Sequence, residues 1–286
     1  MSVPSDARNG KHFIRLQYKD EKNGTADRKE LSFLVKNEGG WDRDATAEAL
    51  KAQHPAVVLL QDGLPCPELG IGKYDGLKDT YLYSTHPVED RNSDYVNYGA
   101  CDYFFIGKYA YKHRAMFKID LSAIPKDAVV EQACLKLFIF DKRGKGPTIE
   151  AFEVLKDWNP GRGVGMWAPR GVKWVADGEA SWLCNAHPAK WDRPGCDAPG
   201  SDRSEKPVGA AQAPAANKTW VQVDLDKEVV QRWIRDPAAN RGLILIDRNE
   251  MGDFSSSFRS CEYADPPFRP RMVLAFSKGV RATTPK

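Results

Sequence analysis

The chain alternates apolar and polar residues along most of its length. In the segment "HRAMFKIDL" (113–121), Ala115, Phe117 and Ile119 share one side of an extended strand, and mainly polar residues share the other. This pattern is typical of a strand with one packed face and one face largely in water. The chain breaks at the Ile-Pro step before residue 126, and the same rhythm returns in "ACLKLFIF" (133–140). We interpret the break as a connection between two strands.

Runs of this kind, separated by turn residues, continue from residue 57 to the C-terminal part of the chain. They predict strands at residues 57–61, 79–84, 103–107, 113–119, 128–140, 148–155, 219–225, 242–247, 254–260 and 271–277. Many short strands with few helices favour an all-β fold. We predict a two-sheet antiparallel β-sandwich of the jelly-roll type.

Two other segments depart from this rhythm. Before residue 57, "KHFIRLQY" and "KELSFLVK" predict a hairpin, and residues 42–53 predict a short helix. In 226–236, an apolar stripe of Val229, Val230, Trp233 and Ile234 predicts a helix that covers one end of the fold. We therefore divide the chain into an N-terminal extension (1–56), a sandwich domain (57–278) and a C-terminal tail (279–286).

A long excursion without periodicity spans residues 157–218, and such loops are commonly functional or disordered. Its second half (201–218) is expected to be flexible, and its first half is rich in tryptophan. Indole rings on a loop either stack on sugars or anchor the loop by burial. We assign core packing to Trp158 and Trp174, and assign Trp167, Trp182 and Trp191 to a ligand surface.

The segment "KYAYKHR" (108–114) concentrates cations and aromatic rings. Alternation divides it into Tyr109, Tyr111 and His113 on one side and Lys108, Ala110, Lys112 and Arg114 on the other. One interpretation is a hairpin tip with ordinary solvated charges.

The functional interpretation of this segment is a site for an anionic sugar, because cations pair with carboxylate or sulfate. Its ligand-binding residues are then Tyr109, Tyr111, Lys112 and Arg114. The same cluster supports a polysaccharide lyase, in which a cation neutralises the uronate while Tyr or His moves a proton. The catalytic candidates of that alternative are Tyr111, His113 and Arg114.

Net charge and hydropathy narrow the classes of partner and the localisation. The 286-residue chain has a net charge of +3 with acids and bases interleaved, which argues against nucleic acid. It lacks an apolar run of about 18 residues, so we predict no membrane insertion. The first residues are polar, so we expect a signal peptide to be absent or already removed.

Among six cysteines, Cys184 and Cys196 flank a short loop and are the predicted disulfide; buried free thiols are the alternative. We expect no required cofactor. A structural Ca²⁺ bound by Asp79, Asp90 and Asp94 is a further hypothesis, set against solvated turn acids.

The order of these segments resembles the DNRLRE family of secreted bacterial domains, some of which bind alginate-like polysaccharides. The likeness rests on "DTYLY" (79–83), "NYG" (97–99), residues 113–138, "VKWVADGEASW" (172–182), "VQVDLDKEVVQRW" (221–233), "RGLILI" (241–246) and residues 258–276. It covers residues 57–278 and implies a β-sandwich. The extension before residue 57 has no counterpart in the family, and the middle loop of the family is usually shorter than the long excursion.

Together these observations predict a secreted or cell-surface protein that binds a polysaccharide, in particular an anionic, uronate-containing one. The first alternative is a lyase or glycoside hydrolase acting on such a polymer. The second is a structural or adhesive module of the cell surface.

Overall fold

The computed structural model describes residues 10–19, 26–35, 44–54, 56–84, 95–165, 174–250, 252 and 254–278. The chain divides into two compact units, Met1–Glu48 and Ala49–Lys286. The predicted tail (279–286) lies outside the described residues.

Strands make up most of the described structure. They are β1 (Gly10–Lys19), β2 (Ala26–Val35), β3 (Ala56–Gln61), β4 (Leu77–Tyr83), β5 (Tyr103–Tyr109), β6 (Tyr111–Ile119), β7 (Ala128–Arg143), β8 (Thr148–Glu153), β9 (Cys184–Ala186), β10 (Ala189–Lys190), β11 (Gly209–Gln212), β12 (Thr219–Leu225), β13 (Leu243–Asp247), β14 (Phe254–Arg259) and β15 (Arg271–Lys278). The α-helices are α1 (Ala45–Lys51) and α2 (Lys227–Arg235). In the first unit, β1 and β2 pair antiparallel along their whole length.

The second unit is a closed barrel, so the prediction of a two-sheet sandwich is wrong. In the described residues, eight antiparallel strands close a ring in the order β12, β11, β8, β13, β6, β5, β14, β7 and back to β12. Strand β4 adds to β6, and β15 followed by β3 adds to β7. The long strand β7 closes the ring because it pairs with β12 through residues 134–139 and with β14 through residues 139–143.

The main core lies on one face of these strands, and its members alternate along each strand as the pattern predicts. Ala115, Phe117 and Ile119 of β6 belong to it, together with Leu135 and Leu137 of β7. Helix α2 covers part of this core: its buried residues include the predicted apolar stripe. The Gln231 side chain fastens α2 to β7, since it accepts from the Val130 N–H and donates to the Ala128 carbonyl oxygen, both at 2.9 Å.

The opposite face of β6 is also buried, although the sequence pattern predicts that it is largely wetted. Met116 belongs to a second apolar cluster with Ile244 and Ile246 of β13 and Phe152 of β8. Residues from the long excursion, including Trp158, Ala180, Trp191 and Cys196, complete this cluster. The excursion therefore packs onto the strands and shields their second face.

Candidate binding site

Two clefts flank the tip of the hairpin formed by β5 and β6. Ala110 is the turn residue, with φ at 59°, and Tyr109 pairs with Tyr111 across it. The alternation predicted for residues 108–114 separates the two clefts: Tyr109, Tyr111 and His113 line the first, whereas Lys108, Lys112 and Arg114 line the second. Ala110 and Tyr111 border both clefts, which therefore meet at the hairpin tip.

The first cleft, which we call the aromatic cleft, has a volume of about 650 Å³. Its lining residues are Tyr83, Asp102, Tyr103, Phe105, Tyr109, Ala110, Tyr111, His113, Phe140, Asp141, Ser255, Ser257 and Arg259. The rings form a continuous wall: centroids lie 5.4 Å apart for Tyr83 and Tyr111 and 5.2 Å apart for Tyr103 and Phe105. Such a surface presents flat apolar faces with hydroxyl groups at their edges.

The phenols of Tyr83 and Tyr103 stay protonated at neutral pH. Burial raises the pKa of Tyr83 to about 12, with a smaller contribution from Tyr111, and burial likewise raises the pKa of Tyr103. A protonated phenol both donates and accepts a hydrogen bond. The wall therefore combines stacking surfaces with groups able to bind hydroxyls.

Arg259 provides the cation of the aromatic cleft. Its guanidinium carbon lies 3.9 Å from the ring centroids of both Phe140 and Tyr263, so the side chain is held between aromatic faces. In the described part of the chain, no carboxylate lies within ion-pair distance of it. A guanidinium fixed by its faces keeps its in-plane N–H groups available for an anion.

His113 lies at the inner end of the aromatic cleft and is 5% exposed. Burial lowers its pKa to about 4, against a smaller opposing effect of the Gly107 backbone, so the imidazole is neutral at pH 7. Its Nδ1 atom is buried without a hydrogen-bond partner among the residues that the structure describes. The rings of Tyr83 and Phe105 lie against it, with centroids at 4.8 and 5.2 Å.

The second cleft, which we call the basic cleft, has a volume of about 430 Å³. Its lining residues are Ser84, Lys108, Ala110, Tyr111, Lys112, Arg114, Trp182, Arg193, Pro194 and Asp197. Four of these side chains are cationic. The predicted ligand residues Lys112, Arg114 and Trp182 thus lie together, but on the other side of the hairpin from Tyr109.

Arg114 is a structural cation, which corrects its assignment as a ligand. It is 2% exposed, and its Nε and Nη2 atoms donate to the two carboxylate oxygens of Glu250, each at 2.7 Å. Its Nη1 atom donates to the Gly195 carbonyl oxygen at 2.7 Å and lies 3.1 Å from Asp197. Because its donors already have partners and it lies outside the cleft that His113 lines, it does not join the catalytic set predicted for a lyase.

Glu250 holds this arrangement together. Burial raises its pKa, but hydrogen bonds from Arg114 and Lys112 outweigh burial, so the net shift is downward and the carboxylate is ionised at neutral pH. Its Oε2 atom lies 2.9 Å from Lys112 Nζ. The charges of Lys112 and Arg114 are therefore largely balanced within the protein.

The tryptophans of the excursion take different positions from those predicted. Trp191 is 4% exposed and donates to the Ser181 carbonyl oxygen, so it offers no face for stacking on a sugar. Trp158 is buried as predicted, whereas Trp174 is 54% exposed rather than in the core. Trp182 is half-buried against Arg114, with the guanidinium carbon 5.3 Å from the ring centroid. Trp167 lies outside the described residues.

The predicted disulfide is not formed, because Cys184 and Cys196 are both free and buried. The Asp202 carboxylate holds this loop instead, since it accepts from the backbone N–H groups of Asp192, Arg193 and Ala198 at 2.9 to 3.2 Å.

The calcium hypothesis loses one of its proposed ligands. Asp79 is buried and its Oδ2 atom accepts from the Cys261 N–H at 2.7 Å, which gives it a structural role. Asp90 and Asp94 lie outside the described residues. Among the residues that are described, no group of three or more His, Cys, Asp or Glu is placed to hold a metal ion.

Comparison with models of known protein families gives no match, and comparison with curated proteins gives none either. Within the described ranges, neither helix is long and apolar enough to cross a membrane.

Most of the aromatic cleft has no signal in the sequence: only Tyr109, Tyr111 and His113 of its lining are predicted site residues. Tyr83 and Tyr103 stood inside predicted strands, and Phe140 and Arg259 come from distant ones. The alternation in "FSSSFR" (254–259) does place Ser255, Ser257 and Arg259 on one side. It carries no information about which other strands lie next to them.

Proposed function

We propose that this protein binds a polysaccharide containing uronate sugars, with the aromatic cleft as its binding site. The observation that carries the proposal is Arg259, a cation without a carboxylate partner in the described structure, placed in a cleft walled by tyrosines. Aromatic faces pack against the apolar C–H faces of pyranose rings. The phenol groups suit sugar hydroxyls, and Arg259 suits the carboxylate of a uronate.

The proposal keeps the binding activity implied by the resemblance to the DNRLRE family, but not the sandwich. It also shifts the site, because the cations predicted to bind the ligand are separated from the tyrosines by the hairpin. In this proposal the protein acts outside the cell or on its surface, where such polymers occur.

Titration calorimetry with alginate and polygalacturonate oligosaccharides tests the proposal, with cello-oligosaccharides as the uncharged counterpart. Arg259→Ala should weaken binding of the acidic oligosaccharides about tenfold, because a charge-assisted hydrogen bond is lost. Tyr109→Ala should weaken binding of both classes, roughly fivefold, because a stacking surface is removed.

Arg235→Ala and Trp174→Ala are the matched controls, since both residues are exposed and outside the cleft. They should leave binding unchanged. Equal binding by Arg259→Ala and the wild type would remove Arg259 from the site. Absence of binding to every oligosaccharide would favour a structural or adhesive role.

A lyase is the second candidate, favoured by the neutral imidazole of His113, which lines the same cleft as Tyr111. In such a reaction, His113 would accept the proton alpha to the carboxylate, and the C–C double bond would form as the C–O bond to the leaving sugar breaks. Tyr111 would donate a proton to that oxygen. Absorbance at the unsaturated-uronate band tests this directly. If no absorbance develops during prolonged incubation, the lyase is ruled out and binding without catalysis remains.

A further inference from the structure

The basic cleft contains positive charge that the described residues do not balance. Glu250 and Asp197 pair with Arg114, and Glu250 also pairs with Lys112. Lys108 and Arg193 have no carboxylate within ion-pair distance in the described structure. Both are accessible, with Lys108 half-buried and Arg193 exposed.

The position of Lys108 is unfavourable unless an anion lies near it. It stands directly opposite Lys112 in the β5–β6 hairpin. Like charges opposite each other on neighbouring strands destabilise a hairpin. Glu250 relieves Lys112, but no described carboxylate relieves Lys108.

The floor of the basic cleft is rigid. Arg114 is fixed by Glu250, Asp197 and the Gly195 carbonyl oxygen, and the Trp182 ring lies against both Arg114 and Gly195. A side chain at Gly195 would collide with that ring, because an added Cβ would lie 2.6 Å from it. The accessible cations Lys108 and Arg193 thus lie beside a fixed aromatic and polar base, which is a suitable arrangement for one charged sugar unit.

We infer that the basic cleft is a second subsite for the same polymer, binding another negatively charged sugar of a chain that crosses the hairpin tip from the aromatic cleft. The inference rests on the proposed function. It specifies the ligand as an extended polyanion rather than a short acidic sugar, because the two clefts share Ala110 and Tyr111 as their common border. Lys108 and Arg193 are its anion-binding residues.

The experiment compares alginate oligosaccharides of increasing length, from the disaccharide upward, by titration calorimetry. The disaccharide occupies the aromatic cleft alone, and longer oligomers should bind at least about tenfold more tightly because the second cleft adds charge-assisted contacts. Lys108→Ala with Arg193→Ala should abolish this gain and leave disaccharide binding unchanged. Lys206→Ala with Arg235→Ala, which removes two exposed cations outside both clefts, is the matched control.

A variant that should strengthen binding complements the variants that should weaken it. Asp197→Asn removes a negative charge from the basic cleft, while Glu250 still holds Arg114 through two hydrogen bonds. It should bind the long oligomer roughly threefold more tightly than the wild type. The affinity of the long oligomer should also fall more steeply with added salt than that of the disaccharide.

The two proposals fail in different ways. If all oligomers bind equally well and the Lys108 and Arg193 variant behaves as the wild type, the second subsite is overturned while the aromatic cleft stands. If no acidic oligosaccharide binds at any length, both proposals are overturned.

Discussion

At the scale of single residues, the spacing of two in "KYAYKHR" separated the aromatic side chains from the cationic ones correctly, because strand geometry fixes which residues share a face. It could not reveal that Arg114 is neutralised within the protein. Its partner Glu250 is 136 residues away in the sequence. The chemistry of a cation depends on such distant partners, so the local sequence presents Arg114 as a ligand and gives no sign of Arg259.

His113 should make the protein less stable in mild acid. Its pKa is about 4 in the folded protein and 6.5 when unperturbed, so between these values the unfolded chain binds a proton that the folded protein does not. The free energy of unfolding should therefore fall as pH decreases from about 6.5 to about 4, by up to about 3 kcal/mol.

Urea denaturation of wild type and His113→Gln from pH 8 to pH 4 measures this contribution. The variant should gain stability relative to the wild type as the pH falls through this range. The difference at pH 8 gives the fixed cost of the substitution. Burial also raises the pKa of Asp79 and of Glu262, and subtracting the two curves removes the contribution of these acids. A difference that is the same at every pH would show that His113 binds protons equally in both states.

At the scale of elements, each strand predicted after residue 56 has a counterpart, from β3 to β15, because apolar alternation is a local property. The short strands β9, β10 and β11 have no signal in the sequence pattern. The sequence predicts flexibility for residues 201–218, yet Gly209–Gln212 of β11 pairs with β8 and β12. Its sequence "GAAQ" has no large apolar side chain to produce a pattern. An added Cβ at Gly209 would lie 2.4 Å from the Asp224 carbonyl oxygen, so glycine is needed where β11 passes β12.

The β5–β6 hairpin should become more stable when Ala110 is replaced by glycine. Ala110 has φ at 59°, in the left-handed region, which costs a residue with a Cβ roughly 1 kcal/mol. Ala110→Gly should raise the free energy of unfolding by up to about 1 kcal/mol. Ala189→Gly, in the exposed strand β10, is the control and should lower it by about 0.5 kcal/mol. Thermal and urea unfolding measure both, and a destabilised Ala110→Gly variant would contradict the assigned turn.

At the scale of the whole molecule, the sequence predicts an all-β fold but not that the strands close into a barrel. Alternation has the same period in a sandwich and in a barrel, since both pack one strand face inward. What distinguishes them is the pairing of β7 with both β12 and β14, which is a relation between residues 80 to 119 positions apart. Turn residues and local propensities contain no information about such long-range pairing.

Closure within the second unit predicts that residues 1–43 are dispensable for the barrel. Strands β1 and β2 pair with each other, and the ring is completed by strands between Tyr103 and Arg259. A chain beginning at Asp44 keeps the residue that caps α1, whose carboxylate accepts from the Thr46 N–H at 2.8 Å. It should show a β-type circular dichroism spectrum and one cooperative unfolding transition, and its affinity for alginate oligosaccharides should match that of the full chain within about twofold.

Loss of cooperative unfolding would mean that the barrel depends on the N-terminal unit. Loss of binding alone, with unfolding unchanged, would assign part of the ligand site to that unit.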